Sequence, residues 1–210
     1  MYKCKIEKRF GYGRDLRILL NSTSNDETRP LMQDIFRDKH CLVATCGRTL
    51  FVTSCQELLI NTNQLESKII GGLNALASYE SFDQLASHNL TIQGNYPIWT
   101  RALCDVIDYK YVVEFNVPKW FKNIKQSRYT QDDNYMGINK NGVISIGRTD
   151  KNELAAINMH FLAQYAGETI YMHLKDANTG ILITGEHGTE SVKDIVKPNN
   201  WFGVIMPIRI

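Results

Sequence analysis

The spacing of apolar and polar positions changes several times along the 210-residue chain. Residues 3–10 alternate through Cys4 and Ile6, predicting a first strand that Gly11-Tyr-Gly13 ends. Residues 15–21 place Leu16, Leu19 and Leu20 at helical spacing with Arg14 and Arg17 opposite, a short amphipathic helix with a basic outer face. The polar run 22–30 closes at Pro30 and predicts a loop leading into a strand at 31–36. Arg37-Asp-Lys-His40 then turns the chain. The β-rich runs 41–45 and 49–53 flank Cys46-Gly-Arg48, which is the pattern of strand, glycine turn and strand. Asn63 and Glu66 form a capping-box pattern, and Leu65, Ile69, Leu73 and Leu76 follow at helical spacing to residue 79. Gly71 and Gly72 each weaken that helix by about 1 kcal/mol relative to alanine, so packing has to hold it. Residues 90–92 read as a further strand.

After a crossover at 104–108 the same order returns. A strand is expected at 111–115, then a helix capped by Asn116, with Pro118 in its first turn, running to about 128. Its apolar face is Val117, Trp120, Phe121 and Ile124; Lys119, Lys122, Asn123 and Gln126 share the opposite face, with Lys125 at its edge. Strands at 135–138 and 143–146 are joined by Asn139-Lys-Asn-Gly142. Asn158 caps a second helix, 159–165. Strands at 170–174 and 180–184 pair across a turn, a polar loop covers 184–191, and a strand at 202–206 closes the chain. Helix, strand, turn, strand, helix and further strands therefore occur twice. The fold class is α+β, with two repeats: residues 1–108 and residues 109–210.

Composition adds exclusions. Apolar residues at 43% and charged residues at 22% are ordinary for a globular protein. No apolar run approaches the ~18 residues of a membrane span, and the first residues lack a signal-peptide core, so no membrane partner is expected and the cytoplasm is the expected compartment. Five cysteines at scattered positions fit reduced thiols there. A net charge of +2 is too small to indicate nucleic acid by its sum; only the arrangement of charge can. His40, Cys41 and Cys46 lack a Cys-x-x-Cys pair and a fourth ligand, so no metal and no cofactor is expected. There is no phosphate-binding glycine loop and no nucleophile elbow, and His160, His173 and His187 have no matched nucleophile. No catalytic residue is assigned, and the chain is not read as an enzyme.

The last ten residues, Trp201-Phe-Gly-Val-Ile-Met-Pro-Ile-Arg-Ile210, stay apolar where most chain ends are polar. Pro207 cannot donate to a sheet ladder, which places it just past a strand end or on an edge. Burial as a terminal strand would account for much of this. Beyond that, Val204-Ile-Met-Pro-Ile-Arg-Ile210 resembles the C-terminal signature of the bacterial DNA polymerase III beta subunit, the sliding clamp. Asn25-Asp-Glu-Thr-Arg-Pro-Leu-Met32, followed by Val43-Ala-Thr-Cys-Gly-Arg-Thr-Leu50, resembles the middle domain of that family, and Gly94-Asn-Tyr-Pro-Ile-Trp-Thr-Arg-Ala102 the segment closing it. The family usually carries aspartate at the position of Cys46 and His-Arg at that of Arg48-Thr49.

The resemblance implies a definite set of properties. Helices would line a central hole with antiparallel sheets outside. Arg14, Arg17, Lys119, Lys122 and Lys125 would face double-stranded DNA without reading its sequence. A hydrophobic pocket for polymerase and clamp-loader peptides would draw on Met32, Thr45, Gly47, Leu50, Pro97, Arg101, Ala102, Val204, Ile205, Met206, Pro207, Ile208 and Arg209. The bacterial clamp has three domains per chain and closes as a dimer. Two repeats per chain would need three chains for a six-domain ring, a homotrimer, and the short length suggests a bacteriophage-encoded protein in the bacterial cytoplasm. The rival reading is a two-domain structural or adaptor protein that keeps the fold and tail but does not encircle DNA.

Overall fold

The computed structural model describes residues 12–38, 41–54, 68–72, 96–104, 109–119, 127–131, 134–139, 141–148, 151–185 and 201–208. The chain divides into two compact units, Met1–Trp99 with Glu190–Phe202 and Thr100–Thr189 with Gly203–Ile210.

The first unit opens with helix α1, Tyr12–Ser22. Its buried positions are Asp15, Ile18, Leu19 and Ser22, an i, i+3, i+4, i+7 stripe that packs on strands β2 (Cys41–Thr45) and β3 (Thr49–Ser54). Leu20, expected in the stripe, is only half-buried, and a carboxylate occupies the buried row instead. Asp15 is tolerated there because its charge is answered: Thr53 Oγ1 donates to Oδ2 at 2.6 Å and Arg14 Nε donates to Oδ1 at 2.7 Å. The loop after α1 ends in a 3-10 turn, Pro30–Gln33, and strand β1 covers Asp34–Asp38. The strand expected at 31–36 thus starts three residues later, because Pro30, with φ fixed, preorganises a helical turn. β1 pairs antiparallel with β2, and β2 with β3, as the glycine-turn pattern predicts. Every residue of β2 and β3 is buried, which explains their continuous apolar runs rather than alternation.

A second correction falls at Lys68–Gly72, which is strand β4, paired with the other edge of β1, and not part of a helix over 63–79. Ile69 and Ile70 are β-branched and Gly71-Gly72 are poor helix formers, so a ladder on β1 outweighs the helical spacing of Leu65, Ile69, Leu73 and Leu76. The rest of that expected helix, and the strands expected at 3–10 and 90–92, lie outside the described residues. Within this unit the strand order is β4-β1-β2-β3.

The second unit contains two sets of antiparallel strands. Helix α2, Arg101–Cys104, is a single turn, and strand β5 spans Tyr111–Asn116. β5 pairs with β10 (Thr169–Leu174), and β10 with β11 (Ile181–Thr184). The β10–β11 turn is held by Asp176, whose Oδ1 accepts from Asn178 N, Thr179 N and Thr179 Oγ1 at 2.9, 2.8 and 2.9 Å. Those donors, the Asn178 amide foremost, hold its carboxyl below the usual range. The other set runs β6-β7-β8-β9: Ser127–Gln131, Asn134–Ile138, Val143–Arg148 and Lys151–Asn158.

Two of these strands correct the sequence reading. β6 takes residues 127 and 128 out of the helix expected to reach 128, and Val117, Pro118 and Lys119 are not helical; residues 120–126 lie outside the described set. β9 occupies a stretch to which no element was assigned. Asn158 caps the next helix as expected, its Oδ1 accepting from His160 N at 2.8 Å; α3, Met159–Leu162, continues as a 3-10 turn over Ala163–Tyr165. The core here includes Ile144, Ile146, Ile157, Leu162, Tyr165, Ile170, Met172 and Ile183.

Strand β12, Trp201–Ile205, is wholly buried and is divided between the units, Trp201 and Phe202 with the first and 203–205 with the second. Pro207 lies just past its end, as a residue without an amide proton must.

Candidate functional site

The β2–β3 turn gathers four of the expected pocket residues. Thr45 and Leu50 face each other in the antiparallel register and both are buried. Thr45 Oγ1 donates to the Thr49 carbonyl at 2.6 Å and accepts from Gly47 N at 3.0 Å, closing the turn from inside. Gly47 takes φ +82°, a left-handed conformation that other L-residues rarely adopt. A Cβ at Gly47 would fall 2.8 Å from Arg29 Nη1 and 3.8 Å from Met32 Sδ, so both side chains cross the bare backbone. Cys46 Sγ lies 3.2 Å from Thr49 Oγ1, so two of the three residues that depart from the sliding-clamp pattern meet across this turn.

Arg29 was not among the sequence candidates. Its place is set by the loop before it: Asp26 Oδ1 accepts from Thr28 Oγ1 at 2.6 Å and Thr28 N at 3.0 Å, while Asp26 Oδ2 lies 3.6 Å from Arg29 Nε. The Thr28 hydroxyl is the main reason the exposed Asp26 carboxyl sits below its usual range. Met32 is fixed by its own backbone, its N donating to Arg29 O at 3.0 Å and its O accepting from Ser24 N at 2.8 Å. A polar run that reads as a loop is in fact a hydrogen-bonded cradle for Met32.

Pro97 lies on the segment 96–99, strapped to β1 at both ends. Tyr96 stacks on Phe36 at 4.6 Å with an 11° interplanar angle, and Trp99 Nε1 donates to Asp38 Oδ2 at 2.9 Å. Burial drives the Tyr96 hydroxyl well above the usual tyrosine range. Ile98, between the straps, is 60% exposed.

The remaining pocket candidates belong to the second unit. Arg101 and Ala102 are exposed on α2. Val204 and Ile205 are buried in β12, and beyond them Met206 (45%) and Ile208 (36%) are exposed with Pro207 between. The tail is held to its own unit, because Ile208 N donates to Ala156 O on β9 at 2.7 Å. Arg209 lies outside the described residues.

The basic candidates differ among themselves. Arg14 is bound to Asp15 and its guanidinium sits 5.2 Å from the Trp201 ring centroid, leaving the side chain 30% exposed. Arg17 and Lys119 are exposed. Lys122 and Lys125 lie outside the described residues. Among the described residues no group of three or more His, Cys, Asp or Glu could hold a metal ion, and no helix is long and apolar enough to cross a membrane. His173 is buried with Nε2 2.8 Å from Thr184 Oγ1, its ring against Tyr109.

No protein-family model and no curated protein matches the chain. Solved structures do, and they give the fold a class: it is the α+β fold of the DNA sliding clamps. The particular clamps are bacterial. The DNA polymerase sliding clamp of Bacillus subtilis superposes with a TM-score of 0.62 at 12% identity, covering 95% of this chain and 63% of that one. The DNA polymerase III beta subunit of Thermotoga maritima gives 0.61 at 13%, covering 95% and 64%. A Helicobacter pylori beta clamp bound to a DNA ligase peptide gives 0.58 at 13%, again covering 95% and 64%. The chain therefore spans a little under two thirds of the length of these clamps.

Proposed function

We propose that this chain is a sliding clamp, a non-enzymatic processivity factor that encircles duplex DNA and tethers a polymerase through a peptide-binding pocket. The observation that carries the reading is the clamp fold over 95% of the chain. The length ratio supports the domain count: covering 63% of the Bacillus subtilis clamp is what two domains of a three-domain chain would cover. In this reading residues 1–108 and 109–210 are the two domains, and three chains close a six-domain ring through edge strands. Arg17 and Lys119, with Lys122 and Lys125, supply sequence-independent charge toward phosphates, while Arg14 serves mainly the fold through Asp15 and Trp201. Met32, Thr45, Gly47, Leu50 and Pro97, with Arg101, Ala102 and residues 204–209, bind the partner peptide, as the Helicobacter pylori clamp binds a DNA ligase peptide. The polymerase and its loader are the expected partners, in the bacterial cytoplasm, and the gene is expected to be carried by a phage.

The test is molar mass in solution by light scattering across a range of concentrations. The expected mass is about 72 kDa, three times the 24.1 kDa chain. A strict monomer at the highest concentration would sink the trimeric ring and favour an adaptor that keeps the clamp fold without encircling DNA.

A further inference from the structure

Lys119 belongs to the proposed DNA-facing set, yet it stands on no regular element; it follows Pro118 in a turn. A lysine there would ordinarily sample many rotamers and lose much of that freedom on meeting a phosphate. Its surroundings restrict it. Two main-chain bonds join its segment to the turn after the 3-10 extension of α3: Val117 N donates to Glu168 O at 2.9 Å and Gly167 N donates to Val117 O at 2.7 Å. These bonds run in opposite directions and fix the two turns side by side.

The lysine stem lies across the second turn. A Cβ built on Gly167 would sit 3.2 Å from Lys119 Cγ and 3.8 Å from Lys119 Cε. Two stem atoms that straddle one methylene and come this close describe a chain laid along the glycine, not one pointing at it. Gly167 also takes φ +92°, where L side chains are strained. The backbone therefore calls for glycine, and a Cβ there would push the stem aside by a few tenths of an ångström. Laying the stem on backbone while leaving the ammonium in solvent is the usual compromise of a long cationic side chain.

We propose that Gly167 is a positioning residue for Lys119, holding the stem in one orientation so that the ammonium is already placed for a backbone phosphate of duplex DNA. The inference rests on the sliding-clamp reading and adds to it a residue outside the basic set. Preorganisation of this kind raises affinity by lowering the ordering cost at the moment of contact.

The experiment is a double-mutant cycle on full-length protein, with a fluorescent duplex titrated by anisotropy over a series of salt concentrations. Thermal unfolding is measured alongside. Lys119→Met is expected to weaken binding about three- to tenfold and to flatten the salt slope by about 0.9 per contacting lysine. Gly167→Ala should weaken binding by a similar factor in the natural background and by nothing further in the Lys119→Met background. Because alanine also strains the backbone, Gly167→Asn is the companion variant: asparagine accepts a positive φ more readily but still fills the space under the stem, so it should behave as alanine does. If either glycine variant weakens binding equally with and without Lys119, its effect is structural and the positioning role is overturned. If Lys119→Met weakens binding and neither glycine variant does, the positioning role is likewise overturned. If Lys119→Met changes neither affinity nor slope, the DNA-facing role of Lys119 itself fails.

Discussion

Truncating Phe202 to alanine is expected to remove about 3–5 kcal/mol from the unfolding free energy, the range for emptying a fully buried aromatic site. Phe202 has no solvent-accessible surface, and its ring lies 6.3 Å from that of Trp99. Its neighbour Trp201 points to the other face of β12, where it meets Phe51 at 5.6 Å and the Arg14 guanidinium. One strand therefore presents aromatic surface on both sides, and packing on either side cannot close the space left on the other. Urea unfolding followed by tryptophan fluorescence would read the change as a shift in midpoint at unchanged slope. A loss below about 1 kcal/mol would show that the ring is not packed as described.

The second large effect concerns partner binding. Removing residues 206–210 is expected to lower affinity for a polymerase-derived clamp-binding peptide about tenfold or more, while leaving the fold in place. Val204 and Ile205, which are buried, are retained; Met206 and Ile208, which are exposed, are lost. Met206 and Ile208 are 45% and 36% exposed, so a partner that covers them gains that share of the about 1.5–3 kcal/mol for fully burying each side chain, roughly 1.2–2.4 kcal/mol together, or about ten- to fiftyfold. The tail need not be ordered by the partner, since Ile208 N is already bonded to Ala156 O. Ile208→Pro, which removes that donor and exchanges the isoleucine side chain for a proline ring but keeps the rest of the tail, should give a smaller loss of its own. Fluorescence anisotropy with a labelled peptide measures both, and an unchanged affinity after the deletion would show that the tail is no part of the pocket.

Much of the architecture is legible where local chemistry and tertiary demand agree. The β2–β3 hairpin follows from two β-rich runs about a glycine, the cap at Asn158 from its side chain, and the end of β12 from Pro207. Legibility fails where pairing overrides propensity. Lys68–Gly72 carries helical spacing but sits on the edge of β1, and Lys151–Asn158 holds two alanines that say little about strands until β8 lies beside them. Ser127–Gln131 is too polar to stand out. The helix α1 and its buried Leu19 follow from the spacing, but Asp15 does not, because a carboxylate looks like surface until Thr53, 38 residues away, is known to donate to it. The same gap affected the site. Arg14 reads as a basic surface residue, whereas Asp15 and Trp201 claim it; Arg29 lies in a stretch that resembles the clamps but is given no pocket role by it, and its place beside Met32 emerges only because Gly47 leaves room for it.

The division of β12 bears on how the chain is made. The first compact unit contains Met1–Trp99 but also Glu190–Phe202, so its last strand is synthesised after nearly all of the second unit. At about 5–20 residues per second, the interval between Trp99 and Trp201 leaving the ribosome is on the order of ten seconds. During that time Phe51 and Arg14 lack the indole they meet in the finished protein. The amino-terminal unit, although its first 99 residues emerge first, is thus expected to mature only together with the second, when β12 is made. Nascent chains stalled before residue 190 should leave it open to protease, and protection already complete at that length would show that the strand is dispensable.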